Sequence, residues 1–296
     1  MTDTTAAPAT ASRLRLPRAE VVDGRLAFEN QEQANQALAL GAFLIAIPEA
    51  LDMQPGLDLC RSFYQPRTDP ADRYRGHLTE GHADSKLGYS DRPDQVEQLQ
   101  LESAHWDTYL PAEAVALLRK MESLTLATLH GVLELAGAPE ADWDTITGGA
   151  SLGNGWCHST INHYRSNLRG RIGIVEHTDS GFITVLYADQ PGLELRHEGE
   201  WIPIDVDRSN FIVNLGDCLE VLTKHCAQPI TAVVHQVPES QEREVDRSSF
   251  TVFMGPRYDM GIYQYSPEGE LLVSQGFRDF SVEKAKKLGY EFHPRL

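Results

Sequence analysis

The sequence has few cysteines, no long apolar run and a shortage of positive charge. Four cysteines occur in 296 residues, Cys60, Cys157, Cys218 and Cys226, with no C-x-x-C pair among them. That excludes a disulfide scaffold and reads as reduced thiols in a cytoplasmic protein, mostly packing residues. No stretch approaches the roughly 18 to 20 consecutive apolar residues that a membrane helix needs. Lys and Arg number 26 against 43 Asp and Glu, a formal net charge of -17. Such a surface repels nucleic-acid phosphate and anionic lipid, so neither is an expected partner. The opening "MTDTTAAPATASRLRLPRAE" lacks the apolar core of a signal peptide, and its Thr, Ala and Pro content predicts a disordered lead-in over 1–20. With no internal repeat and no low-complexity linker, residues 21–296 read as one domain.

What is there falls into a helical part and then a strand-rich part. "NQEQANQALALG" has helical composition and stops on Gly41, and "AFLIAI" follows as a short buried strand closed by Pro48. Between Pro111 and Gly137 the apolar residues Leu118, Met121, Leu124, Leu129, Val132 and Ala136 approximate the three-four spacing of an amphipathic helix. From Ser159 to Gly255 come short runs rich in Val, Ile, Phe and Tyr. Among them are "TINHY", "RIGIV", "FITVLY", "LELRH", "WIPIDV", "NFIVNLG", "ITAVVHQV" and "SFTVFMG". Turn formers such as Pro191-Gly192, Glu198-Gly199 and Gly216-Asp217 separate many of them, which predicts an antiparallel sandwich or barrel. The tail "SVEKAKKLGY" reads as one more helix.

The chemistry lies in the strand-rich part. His177 and Asp179 stand at i and i+2 in "EHTDSGFITVLY", so on a strand both side chains leave the same face. "ITAVVHQV" offers His235 as a third ligand. Two histidines and one carboxylate with open positions are the ligand set of non-haem Fe(II) oxygenases. An H-x-D pair is common by chance, however, and a lone histidine at a strand end is more often a satisfied or half-exposed residue. The surroundings add weight. Arg247 and Ser249 in "RSSF" repeat the i, i+2 spacing, and a guanidinium fork beside a hydroxyl suits a carboxylate. Tyr164 in "INHYRSN" supplies a phenol that can join them.

The ordered set HTDSGFITVLY, NLGDCLEVLT, VVHQV and RSSFTVFMGPRYD resembles the isopenicillin N synthase-like branch of the 2-oxoglutarate/Fe(II)-dependent dioxygenases. That branch shows H-x-D, N-x-G-D, a distal His, then R-x-S before a strand ending F-x-x-P. N-x-Y is matched by Asn162 and Tyr164, and G-[LI]-x-x-H by Gly173, Ile174 and His177. "ALALGAFLIAIPEAL", "YRGHLTEG" and "KLGYSDRP" extend the likeness more weakly into the N-terminal part. The departures are Asn162-His163-Tyr164-Arg165 in place of N-Y-Y-P, a shorter stretch from there to His177, and a charged loop "ESQEREVD" before Arg247.

The resemblance implies a double-stranded β-helix (jelly roll) core, at about 159–256, flanked by helices in an α+β, mainly β chain. It implies Fe(II) held by His177, Asp179 and His235, with Arg247, Ser249 and Tyr164 holding 2-oxoglutarate. Oxygen would be the second co-substrate, and 2-oxoglutarate would leave as succinate and CO2. The main substrate would be a small molecule: an amino acid, a small peptide or a secondary metabolite undergoing hydroxylation, desaturation or ring formation. Asp179 stands where the superfamily's halogenases carry Ala or Gly. Substrate contacts in this family come from the N-terminal segment, here Tyr74, Arg75, His77, Tyr89 and Arg92, and from the strand after the clamp, here Arg257 and Tyr258. For each arginine, solvated surface is an equally good reading. A 2-oxoglutarate-independent oxidase or cyclase of the same fold, and a metal-binding jelly-roll module without catalysis, stay open. His225 beside Cys226 is a weaker metal candidate. Cys218, Trp156 and Trp201 read as packing, and Asp217 as shaping its turn.

Overall fold

The computed structural model describes residues 15–78, 87–91, 94–168, 170–239 and 244–289. The chain opens with β1 (Arg18–Val22), β2 (Arg25–Phe28), α1 (Gln31–Leu40), β3 (Ala42–Ala46) and α2 (Gln54–Ser62). β4 (Leu87–Asp91), β5 (Val96–Glu102), the one-turn α3 (Trp106–Tyr109), the long α4 (Ala112–Ala136) and the one-turn α5 (Trp143–Ile146) follow. Then come β6 (Trp156–Tyr164), β7 (Ile174–His177), β8 (Ile183–Ala188), β9 (Glu194–His197), β10 (Glu200–Pro203) and β11 (Asn210–Leu215). α6 (Asp217–Thr223), β12 (His235–Val237), β13 (Arg247–Gly255), the hairpin β14 (Gly261–Tyr265) and β15 (Leu271–Gly276), and α7 (Phe277–Lys287) complete it.

The strands form a nine-stranded sheet in the order β2-β1-β3-β11-β8-β13-β6-β5-β4 and a four-stranded sheet in the order β10-β9-β12-β7. This is the expected jelly roll, widened by five strands from the N-terminal part. β1 begins at Arg18, inside the segment expected to be a disordered lead-in; residues 1–14 lie outside the described ones.

Alternation along the large sheet divides its two faces. Val185, Phe211, Val213, Phe250 and Val252 share a core cluster with Leu118, Met121, Leu129 and Val132 of α4, which covers one face. Leu44, Leu186 and Ile212 alternate with them and pack with Leu195 and Val233 of the facing part. α1 ends on Gly41 at φ 75, where a Cβ would sit 2.1 Å from the Thr231 carbonyl oxygen, so only glycine fits. α4 ends the same way on Gly137 at φ 78.

One local expectation fails: "ITAVVHQV" is strand only over His235–Val237. "DCLEVLT", for which no element was expected, is the helix α6.

Candidate metal centre and co-substrate pocket

Between the sheets lies a cavity of about 440 Å³. The second face of the large sheet forms its wall. Gln98 and Gln100 come from β5, His158, Thr160, Asn162 and Tyr164 from β6, and Arg247, Ser249, Thr251 and Phe253 from β13. Each set is spaced by two, as strand alternation requires.

His177, Asp179 and His235 meet at this cavity with candidate ligand atoms all within 4.8 Å of one another. The two histidines are paired residues of β7 and β12. Asp179 arrives differently from the sequence expectation: β7 ends at His177, so the carboxylate sits on the following loop rather than on the strand face. Backbone amides of α6 fix that loop, Asp217 N–H donating to the Asp179 carbonyl at 2.8 Å and Cys218 N–H to that of Gly181 at 3.1 Å. Gly216 allows the close approach, since a Cβ there would lie 2.4 Å from the Gly181 oxygen.

The ligand atoms are oriented for a cation. His177 Nδ1 lies 2.8 Å from the Val175 carbonyl oxygen and His235 Nδ1 lies 3.1 Å from that of Val233. A carbonyl only accepts, so each Nδ1 carries the proton and each Nε2 lone pair is free. Both Nε2 atoms lie 3.8 Å from Asp179 Oδ1, while Thr184 Oγ1 donates to Oδ2 at 2.7 Å and leaves Oδ1 available. Burial, reinforced by His235, pushes His177 down to about 3, which keeps it neutral. Burial alone would raise the Asp179 carboxyl, but His235, His177, the Thr184 hydroxyl and Lys284 together hold it below its ordinary value.

Arg247 and Ser249 also line the cavity, each 1% exposed, opposite Tyr164 and Asn162 in the β13–β6 register. Arg247 Nε donates to the Gln190 carbonyl at 3.1 Å, its guanidinium carbon stands 4.5 Å from the Tyr164 ring centroid, and Nη1 has no partner. Tyr164 thus meets the arginine through its ring face. Ser249 Oγ accepts from Asn162 Nδ2 at 3.1 Å, and Gln98 Nε2 donates to Asn162 Oδ1 at 2.8 Å.

The expected substrate residues mostly lie elsewhere. Of them, Tyr89 lines the cavity, its hydroxyl donating to Glu97 Oε2 at 2.8 Å. Arg75 is tied to Asp72 and Gln65, and His77 Nε2 lies 3.0 Å from the Arg73 carbonyl. Arg257 is exposed and paired with Asp259 at 3.1 Å, and Tyr258 packs beside Trp156 and Phe277. Neither Arg75, His77, Arg257 nor Tyr258 reaches the cavity. Arg92 lies outside the described residues. Among the described residues, His225 and Cys226 join no metal-ligating cluster. Asp217, expected to shape a turn, opens α6 and is paired with Lys284 of α7, which also donates to Thr178 Oγ1 at 2.7 Å. His158 escaped the sequence reading although it faces the cavity.

Residues 156–256 match the 2OG-Fe(II) oxygenase superfamily. That segment, about a third of the chain, is what resembles the superfamily. The isopenicillin N synthase-like branch is consistent with this. Gibberellin 2-beta-dioxygenase 8 of Arabidopsis thaliana is 32% identical over 123 residues, 40% of this chain and 35% of that protein. 1-Aminocyclopropane-1-carboxylate oxidase 1 of the same plant is 38% identical over 109 residues, 36% of this chain and 33% of that one. The matched segments thus span about a third of the length of these curated relatives. The crystal structure of the rice dioxygenase for auxin oxidation shares the fold with a TM-score of 0.69 and 22% identity, covering 94% of this chain and 97% of that one. No helix among the described residues is long and apolar enough to cross a membrane.

Proposed function

We propose that this chain is an Fe(II)- and 2-oxoglutarate-dependent oxygenase of a small molecule, folded as one domain that includes β1 from Arg18 onward. A jelly-roll core over about 159–256 carries the site, and the large sheet draws strands from both halves of the chain. The observation that carries the function is the pairing of two sites in one cavity. Three ligand atoms converge on one wall, and a buried guanidinium keeps an unpartnered donor on another.

The residues fit both groups. Two neutral imidazoles and one carboxylate suit Fe(II) and leave coordination positions open. A buried arginine with an unsatisfied N–H favours an anionic partner, because an unpaired buried charge is costly. The distal carboxylate of 2-oxoglutarate supplies that partner. Iron with 2-oxoglutarate supplies oxidation by O2, with release of succinate and CO2.

Everything else is positioning by the chain. His177, Asp179 and His235 hold the metal on one side, and the carbonyls of Val175 and Val233 fix the imidazole tautomers. Arg247 and Ser249 orient the co-substrate, with the Tyr164 ring supporting the guanidinium and Asn162 supporting the hydroxyl. Arg247, Ser249, Asp179 and His235 are all buried, which strengthens their electrostatic contacts. The four free cysteines favour a cytoplasmic location.

Under argon, Fe(II) plus 2-oxoglutarate gives a weak visible charge-transfer band, and in air the loaded protein releases succinate with its substrate. Iron binding without the band, but with oxygen consumed by a substrate, identifies a 2-oxoglutarate-independent oxidase instead. Iron binding with neither leaves a metal-binding module.

A further inference from the structure

His158 is held in an unusual setting for a polar side chain. Its imidazole is sandwiched between two rings, Trp156 at 4.1 Å and 22° and Phe253 at 4.5 Å and 10° between planes. All three residues line the cavity. Both faces of the imidazole are covered, so it meets a ligand through its edge. Nδ1 is buried without a hydrogen-bond partner, and among the described residues no partner contacts Nε2. Burial pushes this histidine down to about 3, so it presents one N–H donor and one lone pair at neutral pH. α7 brings a second group of the same kind. Phe277 packs on Trp156 at 5.8 Å, and one turn on, Ser281 lines the cavity with its Oγ buried and unpartnered. Buried polar atoms in proteins are almost always paired, so such orphans on residues lining one cavity mark a ligand's hydrogen-bonding groups.

The charges at the cavity are otherwise engaged. Among the described lining residues the cations are Arg247, assigned to the co-substrate, and Lys284, paired with Asp217. Asp179 faces the metal site and Asp91 is paired with Arg165 at 2.8 Å. Among the described residues a carboxylate substrate would find no free counter-charge there, whereas an uncharged ring would find aromatic walls.

We propose that His158, with Ser281, recognises the main substrate, and that this substrate is an uncharged, planar molecule with a hydrogen-bonding edge such as a carboxamide, rather than an amino acid or other carboxylate. This rests on the oxygenase reading of the site.

The test uses iron-loaded protein saturated with 2-oxoglutarate under argon, which first shows the charge-transfer band. Benzamide and indole-3-carboxamide are then titrated against benzoate and indole-3-carboxylate, following the band and, independently, saturation-transfer NMR of the probes. The amides bind at least tenfold tighter than their carboxylates. His158→Phe keeps the ring stack and the band but loses roughly fivefold to a hundredfold in amide affinity, since it removes a hydrogen bond and strands the ligand's group. His158→Gln restores part of that loss. Carboxylates bound as tightly as the amides, failure of both amides to bind, or unchanged affinity in His158→Phe overturns the proposal. Loss of the band in the unmodified protein overturns the oxygenase reading instead.

Discussion

His235 stands directly opposite His177 across the β12–β7 ladder, with ring centroids 4.3 Å apart, and both Nε2 atoms approach the same oxygen of Asp179. Backbone pairing therefore sets half of the metal geometry before any metal arrives. The other half depends on the loop that carries Asp179, and the hydroxyl of Thr184 orients its carboxylate. His177→Ala, Asp179→Ala and His235→Ala should each abolish turnover with the fold retained. Thr184→Val should keep the ligands but free Oδ2, weakening Fe(II) binding by about 10- to 100-fold, the usual effect of removing such a supporting hydrogen bond. Competition with a metal-binding dye would measure it. Unchanged affinity in the valine variant would mean that packing, not the hydroxyl, orients Asp179.

The pocket's outer side carries a titrating unit. His163 Nδ1 lies 2.6 Å from Glu97 and its Nε2 2.8 Å from Asp246, with the Tyr64 ring stacked at 4.1 Å. Burial would lower this histidine, but Glu97 and Asp246 outweigh it and raise it above its ordinary value. A raised folded-state value means that its stabilisation is full below the unfolded value near 6.5 and is lost as pH rises through the folded one. Asp246 is lowered despite burial by Ser166 and His163, so its share is present above the ordinary carboxylate range and lost in acid. His163→Gln should cost about 3 kcal/mol near pH 6, because Glu97 is left buried with one partner fewer. The deficit should narrow toward pH 9. Urea unfolding of both proteins across that range would check it, and a deficit independent of pH would show that His163 is neutral.

Much of this site is legible in the sequence because strand periodicity is simple. Arg247 and Ser249 point to one face of β13 as their spacing says, and Gly41 and Gly137 end their helices where expected. The shared strand face expected for His177 and Asp179 is not what brings them together, since the strand stops between them. α6 was hidden because its helical turn follows a buried strand without a side-chain cap. His158 was illegible for another reason. Its partners Trp156 and Phe253 come from two strands, and only the β13–β6 register brings them together. The polar Gln98 and Gln100 of β5 likewise make sense only once a cavity is known to face them. Arg75 and Arg257 show the converse error: conspicuous charges that the fold leaves paired with their neighbours.

α7 reaches the metal loop through one side chain. Lys284 donates to Thr178 Oγ1 and is paired with Asp217, both mostly buried. Lys284→Met should loosen the loop between His177 and Asp179 and leave Asp217 without its cation. We expect iron affinity to fall severalfold and amide exchange across 277–287 to rise, with the band from bound 2-oxoglutarate still formed at saturating iron. Hydrogen exchange followed by mass spectrometry would report it. Exchange confined to the methionine's own turn would show that α7 is held by Phe277 instead.

The clamp gives the sharpest test of the co-substrate. Arg247 has a committed Nε, a ring beneath it and a free Nη1, so an anion completes its contacts. Truncating one partner of a desolvated charged pair costs about 2–5 kcal/mol. Arg247→Ala should thus weaken 2-oxoglutarate binding by roughly thirty- to several-thousand-fold, at about 1.4 kcal/mol per factor of ten. Arg247→Lys should recover only part, since an ammonium lacks the planar fork that stacks on Tyr164. Ser249→Ala removes one hydrogen bond and also strands the Asn162 amide, which now donates to it, at about 1–3 kcal/mol. The order of 2-oxoglutarate affinity should be wild type, Ser249→Ala, Arg247→Ala, with iron affinity nearly unchanged throughout, because neither residue touches the metal ligands. Anaerobic titration of each iron-loaded variant decides it. Unaltered 2-oxoglutarate affinity in Arg247→Ala, with the main substrate lost instead, would assign the guanidinium to that substrate and the chain to the 2-oxoglutarate-independent oxidases.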